Sequence, residues 1–385
     1  MPLHALCETA GHPARRNLPT PPPGCYPSNM PTWPDRRILD LLHIELPIIQ
    51  APMAGADTPA LAIAVCRAGG LGSLGCALRA HDEIRSAVAA IRAATDRPFN
   101  LNFFCHTMTP PDPAAIERWK DLLRPFYQRF QLDIDSVPPA RLRMPFDDEI
   151  CALMEELAPP IVSFHFGLPA PQLLDRLKSR GITILSTATS VAEAVWLAQR
   201  GCHAIIAQGI EAGGHRGMFL ERDPATQSGL FALLPQVADA VRIPVVATGG
   251  IADARGIRAA FALGASAVQI GTAYLLCPES EIAPLHRQAL EQATDTSTAV
   301  TTLFSGRPAR GIINTFMQQC GFLPDAALPF PYAGNLVAPL RRASEKANTT
   351  DCMQMWAGQS AALARPMGAE DLTRTLASEA LIPNP

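Results

Sequence analysis

Eight short apolar runs, most of them followed by an alanine-rich helical stretch, constrain this chain more than any other feature. The runs lie at 46–50, 70–74, 99–104, 161–166, 183–186, 204–208, 244–248 and 267–270. They lack the polar alternation of a sheet with one wet face, so each strand must be buried on both sides. Helical patterns occupy 58–68, 82–94, 171–179, 190–200, 230–240 and 253–263. Strand leading to helix in this order predicts a closed (β/α)8 barrel of the TIM type. An open doubly wound sheet is the alternative. It would need a strand running into a G-x-G-x-x-G helix start with an acidic residue about 20 positions on, and none is present. The glycine run at 69–75 only looks similar, because such runs often just turn a strand tightly into a loop.

Two stretches exceed ordinary loops. Residues 107–158 contain helical patterns at 114–130 and 146–157, and residues 281–365 carry expected helices at 281–293 and 352–364. Insertions at the C-terminal ends of barrel strands normally cover the active site. The expected organisation is a barrel at 35–280, a small and mostly helical substrate or lid domain at 281–365 whose last helix returns to the barrel, and a C-terminal tail at 366–385. Residues 1–34 include Pro21-Pro22-Pro23 and show no periodicity. That composition cannot offset its ordering entropy, so a disordered extension is expected, with Met30 as a possible start.

Composition narrows the function classes. With 48% hydrophobic and 17% charged residues the chain is not mostly disordered. A net charge of −3 leaves no basic footprint for nucleic acid. No apolar run approaches the roughly 20 residues of a membrane helix. The ten cysteines form no C-x-x-C pair and no zinc spacing, so no metal site is expected. Scattered thiols and an N-terminus without a secretory apolar core fit a cytoplasmic enzyme; a monomer or homodimer is expected.

The strongest local chemical signal is the loop at 207–217, Ala-Gln-Gly-Ile-Glu-Ala-Gly-Gly-His-Arg-Gly. A buried strand ends at Gln208 and four glycines then present His215. A histidine at the C-terminal mouth of a barrel strand stands where such enzymes keep catalytic groups, and its ordinary pKa suits proton transfer or anion binding. His165 in the fourth strand and His106 after the third are further pocket candidates. His203, His81 and His286 read as surface or helix-end residues.

Two glycine turns close the barrel sequence, one through Gly249 and Gly250 after the seventh strand, the other through Gln269, Ile270, Gly271 and Thr272 after the eighth. In this fold those loops form a phosphate cradle from backbone N–H groups and a helix N-terminus. Strand one ends in Pro52, Met53 and Ala54, small residues over which a ring could lie. Asn102 and Gln208 can hydrogen-bond ring carbonyls and nitrogens. These residues alone indicate a barrel enzyme with a phosphorylated cofactor, and flavin mononucleotide (FMN) is the group they suggest.

The stretches 47–55, 102–106, 208–217, 248–251, 269–272, 304–311 (Phe-Ser-Gly-Arg-Pro-Ala-Arg-Gly) and 356–359 (Trp-Ala-Gly-Gln) resemble, in family order, the class I nitronate monooxygenases. The resemblance implies a barrel with non-covalent FMN that oxidises alkyl nitronates such as propionate 3-nitronate with O2, giving a carbonyl compound and nitrite. It implies that His215 binds the nitronate and is the base toward neutral nitroalkanes. Asn102, Gln208, Gly213, Gly250 and Gln269 to Thr272 would contact FMN, with Pro52, Met53 and Ala54 beside the ring. Arg307 and Arg310 are candidates to bind a substrate carboxylate. Ala338 stands where some members carry a basic residue, and there are only four tyrosines. The alternatives are an FMN-dependent NAD(P)H oxidoreductase acting on a quinone or enoyl thioester, a non-catalytic FMN-binding barrel, and a flavin-free barrel enzyme. The last would need a strand-end lysine for Schiff-base chemistry, which is missing.

Overall fold

The computed structural model describes residues 33–139 and 142–381. The expected extension and Met30 lie outside these residues, except that Trp33 is already part of the core, its ring 5.3 Å from that of Phe261. Eight parallel strands form the barrel. They are β1 (Ile48–Gln50), β2 (Gly72–Gly75), β3 (Phe99–Phe104), β4 (Ile161–His165), β5 (Thr183–Ala188), β6 (Ala204–Gln208), and, after a two-residue β7 (Gly214–His215), β8 (Val245–Thr248) and β9 (Ala267–Ile270). The hydrogen-bonded order is β1-β9-β8-β6-β5-β4-β3-β2, and a parallel bridge between Ile49 and Leu71 closes the ring. β8 and β9 are thus the seventh and eighth barrel strands.

Most of the helices that follow cover the barrel, each turning an apolar stripe inward. After α1 (Arg37–Leu42) come α2 (Pro59–Arg67) and α3 (His81–Ala94), then α4 (Pro113–Arg129) and α5 (Asp148–Leu157), α6 (Pro171–Ser179), α7 (Val191–Gln199), α8 (Leu230–Ala240) and α9 (Ala254–Ala262). Their starts carry sequence signals. Thr58, Asp147 and Ser190 accept N-terminal backbone N–H groups, and proline opens α2, α4 and α6.

Beyond the barrel lie α10 (Pro284–Glu291), β10 (Thr298–Thr301), β11 (Ala309–Ile312), α11 (Thr315–Cys320), α12 (Ala333–Lys346) and α13 (Ala369–Leu381). The sequence reading needs correction here. Residues 352–364 are not a helix, since only Ala361–Leu363 makes a 3-10 turn. The segment read as a tail contains α13, which packs between α2 and α9 and completes the ring of barrel helices. Leu372 and Leu376 enter the main core, and the Tyr274 and Thr373 hydroxyls bond at 2.8 Å.

The second core is built from two distant segments. Trp119, Leu123 and Tyr127 of α4 pack with Phe304, Phe316 and Leu336, Val337 and Leu340 of the post-barrel segment. The Trp119 indole N–H donates to the Ala333 carbonyl and the Tyr127 hydroxyl to that of Leu336. Of the 107–158 stretch, α5 belongs with the barrel helices while α4 belongs with the lid.

Candidate active site

The mouth of the barrel opens into a cavity of about 450 Å3. Glycine makes its walls possible. Gly249 and Gly250 hold φ of 113° and 70°, which side-chain-bearing residues rarely adopt. A Cβ on Gly213 would stand 2.6 Å from the Gly358 nitrogen. The loops are latched there, since the Gly358 N–H donates to Thr272 Oγ1 at 2.9 Å and Ser360 Oγ donates to the Gly250 carbonyl at 2.6 Å.

His215 sits on β7, the edge of a second small sheet ordered β10-β11-β7, with His215 opposite Ala309. The glycine loop and the Ser-Gly-Arg-Pro-Ala-Arg-Gly stretch are therefore neighbouring strands. Buried Arg216 fastens the base of the loop by donating to the carbonyls of Gly209 and Gln208. The Glu211 carboxylate accepts the Leu230 N–H at the start of α8.

Two side chains hold the His215 carbonyl. Gln208 Nε2 donates to it at 3.0 Å, while Gln208 Oε1 accepts the Gly217 N–H at 2.8 Å. His165 Nε2 donates to it at 3.1 Å. A carbonyl only accepts, so His165 carries its proton on Nε2 and its Nδ1 accepts from Thr187 Oγ1. Burial pushes His165 down to about 3. The His215 Nε2 lies 2.8 Å from Ser305 Oγ. Phe104, Phe166, Phe330 and Trp356 surround its ring, with centroids 5.5 to 6.0 Å away. Burial, then the Arg143 guanidinium and neighbouring His165, Arg307 and His106, hold the imidazole well below its usual pKa of 6.5. His215 is neutral at pH 7.

A family profile described as nitronate monooxygenase matches residues 35–379. The chain belongs to the nitronate monooxygenase family. A Pseudomonas aeruginosa protein named nitronate monooxygenase is 42% identical over 89% of this chain and 98% of its own length. A crystal structure of nitroalkane oxidase from Streptomyces ansochromogenes superimposes with a TM-score of 0.79 at 38% identity, covering 89% of this chain and 97% of that one. FabK from Thermotoga maritima gives 0.67 at 29%, covering 89% and 95%.

In this member of the nitronate monooxygenase family, most of the residues singled out in the sequence line the cavity. Pro52, Met53, Ala54, Asn102, Gln208, Gly213, Gly249, Gly250, Gln269, Gly271, Thr272, His165 and His215 all line it. Ile270 does not, because its side chain is buried in the core and its carbonyl accepts the Ala51 N–H. His106, Arg307 and Arg310 are not among the lining residues either. His106 lies behind the aromatic wall, with Nε2 donating to the Arg143 carbonyl and its ring 4.6 Å from Phe330. Arg307 stacks over Phe166 at 3.9 Å, and Arg310 bonds the Ile210 and Thr298 carbonyls. The lining instead contains Arg143, Arg341, His286 and Trp356. His286 read as a surface or helix-end residue but is buried, donating from Nε2 to the Trp356 carbonyl at 3.2 Å.

The residues present fit a flavin nucleotide. Gln269 Oε1 is buried without a hydrogen-bond partner and belongs to a lining residue, so it is free to accept from a ligand N–H or O–H. The glycine walls leave room for a flat ring and a phosphate. Among the described residues no group of histidines, cysteines and carboxylates converges on a metal site, and no helix is long and apolar enough to cross a membrane.

Proposed function

We propose that this protein is an FMN-dependent monooxygenase that oxidises alkyl nitronates with O2, releasing a carbonyl compound and nitrite. The observation that carries this reading is a neutral, anchored imidazole, His215, facing a glycine-walled cavity beside an unpartnered acceptor on Gln269. Gly249, Gly250, Gly271 and Thr272 would hold the phosphate, Gln269 and Asn102 would bond the ring, and Pro52, Met53 and Ala54 would line its edge. The bound flavin supplies the electron acceptor. His215 orients the nitronate by hydrogen bonding to its oxygen, and it accepts the α-proton when the substrate arrives as a neutral nitroalkane. Gln208 and His165, through its backbone carbonyl, keep the ring in place.

Arg143 points to the substrate class. Arg143 lies 5.9 Å from the Phe330 ring centroid, and Phe330 is 5.5 Å from His215. Neither guanidinium has a carboxylate within hydrogen-bonding distance among the described residues, since Glu345 lies 3.9 Å from Arg341 Nε. Arg341 shares the lining with Glu345 and Glu281, so Arg143 is the lining cation without a carboxylate partner among the described residues, and it favours a nitronate carrying a carboxylate, such as propionate 3-nitronate.

The test is the absorbance spectrum of the purified protein, followed anaerobically by propionate 3-nitronate in one cuvette and NADH in another. A flavin spectrum changed by nitronate and not by NADH is expected. A colourless protein would overturn the reading, and a flavin bleached by NADH alone would replace it with a reductase of the kind its likeness to FabK raises.

A further inference from the structure

We propose that Ser305 is a positioning residue that lets His215 exchange between its two neutral tautomers, so that one imidazole serves both as proton acceptor and as hydrogen-bond donor. This rests on the reading of His215 given above. Ser305 Oγ is 2.8 Å from His215 Nε2 and lies 3.4 Å from both the carbonyl and the N–H of Arg307. Ser305 is only 3% exposed, so water does not compete for its hydroxyl. The oxygen accepts the Arg307 N–H throughout. Its own proton has two possible acceptors, the Arg307 carbonyl and His215 Nε2.

Each choice fixes a tautomer. With the hydroxyl proton on the Arg307 carbonyl, Oγ accepts the His215 Nε2–H, and Nδ1 presents a lone pair. A nitroalkane α-proton then moves to Nδ1, and the C–H electron pair moves into the C=N bond of the nitronate. The resulting imidazolium still donates through Nε2 to Ser305. With the hydroxyl proton on Nε2, Nδ1 carries the hydrogen and donates to a nitronate oxygen. Nδ1 has no hydrogen-bond partner among the described residues, and His215 lines the cavity. Because the ring is held neutral, its tautomer and not its charge decides which role it plays.

The backbone places this hydroxyl. Gly306 follows with φ 87°, and a Cβ there would stand 2.0 Å from the Leu328 carbonyl oxygen. The β11 strand then runs beside β7. The turn is thereby fixed relative to the histidine.

The experiment compares Ser305→Ala and Ser305→Thr holoenzymes on nitroethane and on pre-ionised ethyl nitronate, with flavin content measured first. In Ser305→Ala the bond lost to the imidazolium is a charged one, so nitroethane kcat/KM should fall about 10- to 100-fold. Ethyl nitronate loses a neutral bond and should fall about 2- to 10-fold. Ser305→Thr, which keeps the hydroxyl, should restore most of both. The 15N shifts of His215, assigned by their loss in His215→Asn, should report both tautomers in the parent protein and a single one in Ser305→Ala. Equal losses on the two substrates, no loss on either, or a single tautomer in the parent protein would overturn the proposal. Undiminished nitroethane turnover in His215→Asn would instead overturn the base reading on which it rests.

Discussion

Arg143 and Arg341 share the cavity lining with Glu281 and Glu345, and of the two cations only Arg143 has no carboxylate beside it among the described residues. Burial lowers Arg143 to about 10, far above neutrality, so it keeps its charge. Arg341 lies on α12 three residues after Ala338, the position where a basic residue was expected, and so brings a cation to the same helix. Replacing Arg143 by Ala should raise KM for propionate 3-nitronate about tenfold or more, the worth of a charge-assisted bond, while ethyl nitronate changes less than about threefold. Steady-state kinetics on the pair checks this, and equal changes would remove the carboxylate role. The depressed pKa of His215 gives a second expectation. A base must be unprotonated, and a pKa well below 6.5 keeps it so as pH falls. Nitroethane kcat/KM should therefore stay flat from pH 8 through 6.5 and decline only at lower pH; a limb centred at 6.5 would contradict the burial argument. The place of His215 in the cavity wall was legible in sequence because glycines and a strand end mark it. Arg143 and Arg341 were not, because they come to one cavity only when α12 and the segment 142–147 are brought together. Arg307 lies in the right stretch, yet its side chain turns onto Phe166.

Between elements, the decisive contacts join segments far apart in the chain. β7 pairs with β11, and Gly311 bridges to Trp356, so three separate stretches of the family pattern become one wall. This explains why 352–364 is not helical despite its composition. Its backbone is used elsewhere, with the Met355 carbonyl accepting the Ile312 N–H and the Gly358 N–H bound to Thr272. Local propensity loses to tertiary pairing, which no local pattern encodes. The barrel strands were legible because period and burial agree within each run. The lid was only half legible, since α4 joins it from the other side of five barrel strands. Gly213→Ala tests the latch. The added Cβ would meet Gly358 and Ala357 backbone atoms at 2.6 and 2.7 Å, forcing the loops apart. The variant should lose about 1 to 3 kcal/mol of stability and release flavin more readily on dilution. Thermal melts and flavin fluorescence would show this, and parental retention of flavin would argue that the latch does not shape the site.

Taken as a whole, the molecule stores several histidines in neutral form, and that sets its response to acid. Burial is the leading cause for each. His106 and His286 are lowered to about 4, His165 to about 3, and His215 well below its usual value. His165, His215 and His286 line the cavity, and His106 packs against Phe330 behind it. Unfolding returns each to a pKa near 6.5, so between that value and the folded one the unfolded chain binds more protons. Stability therefore rises with pH across this window. It is fully present above 6.5 and is lost as pH falls toward 4, by up to about 1.4 kcal/mol per pH unit for each histidine. Urea midpoints measured from pH 8 down to 4.5 should be level above pH 7 and then drop steeply. His286→Gln, which keeps an N–H donor for the Trp356 carbonyl but does not titrate, should make that drop shallower at an equal or modestly lower plateau. A slope unchanged by this substitution would mean that His286 is protonated in the folded protein and that the wall around Trp356 is wetter than its packing requires.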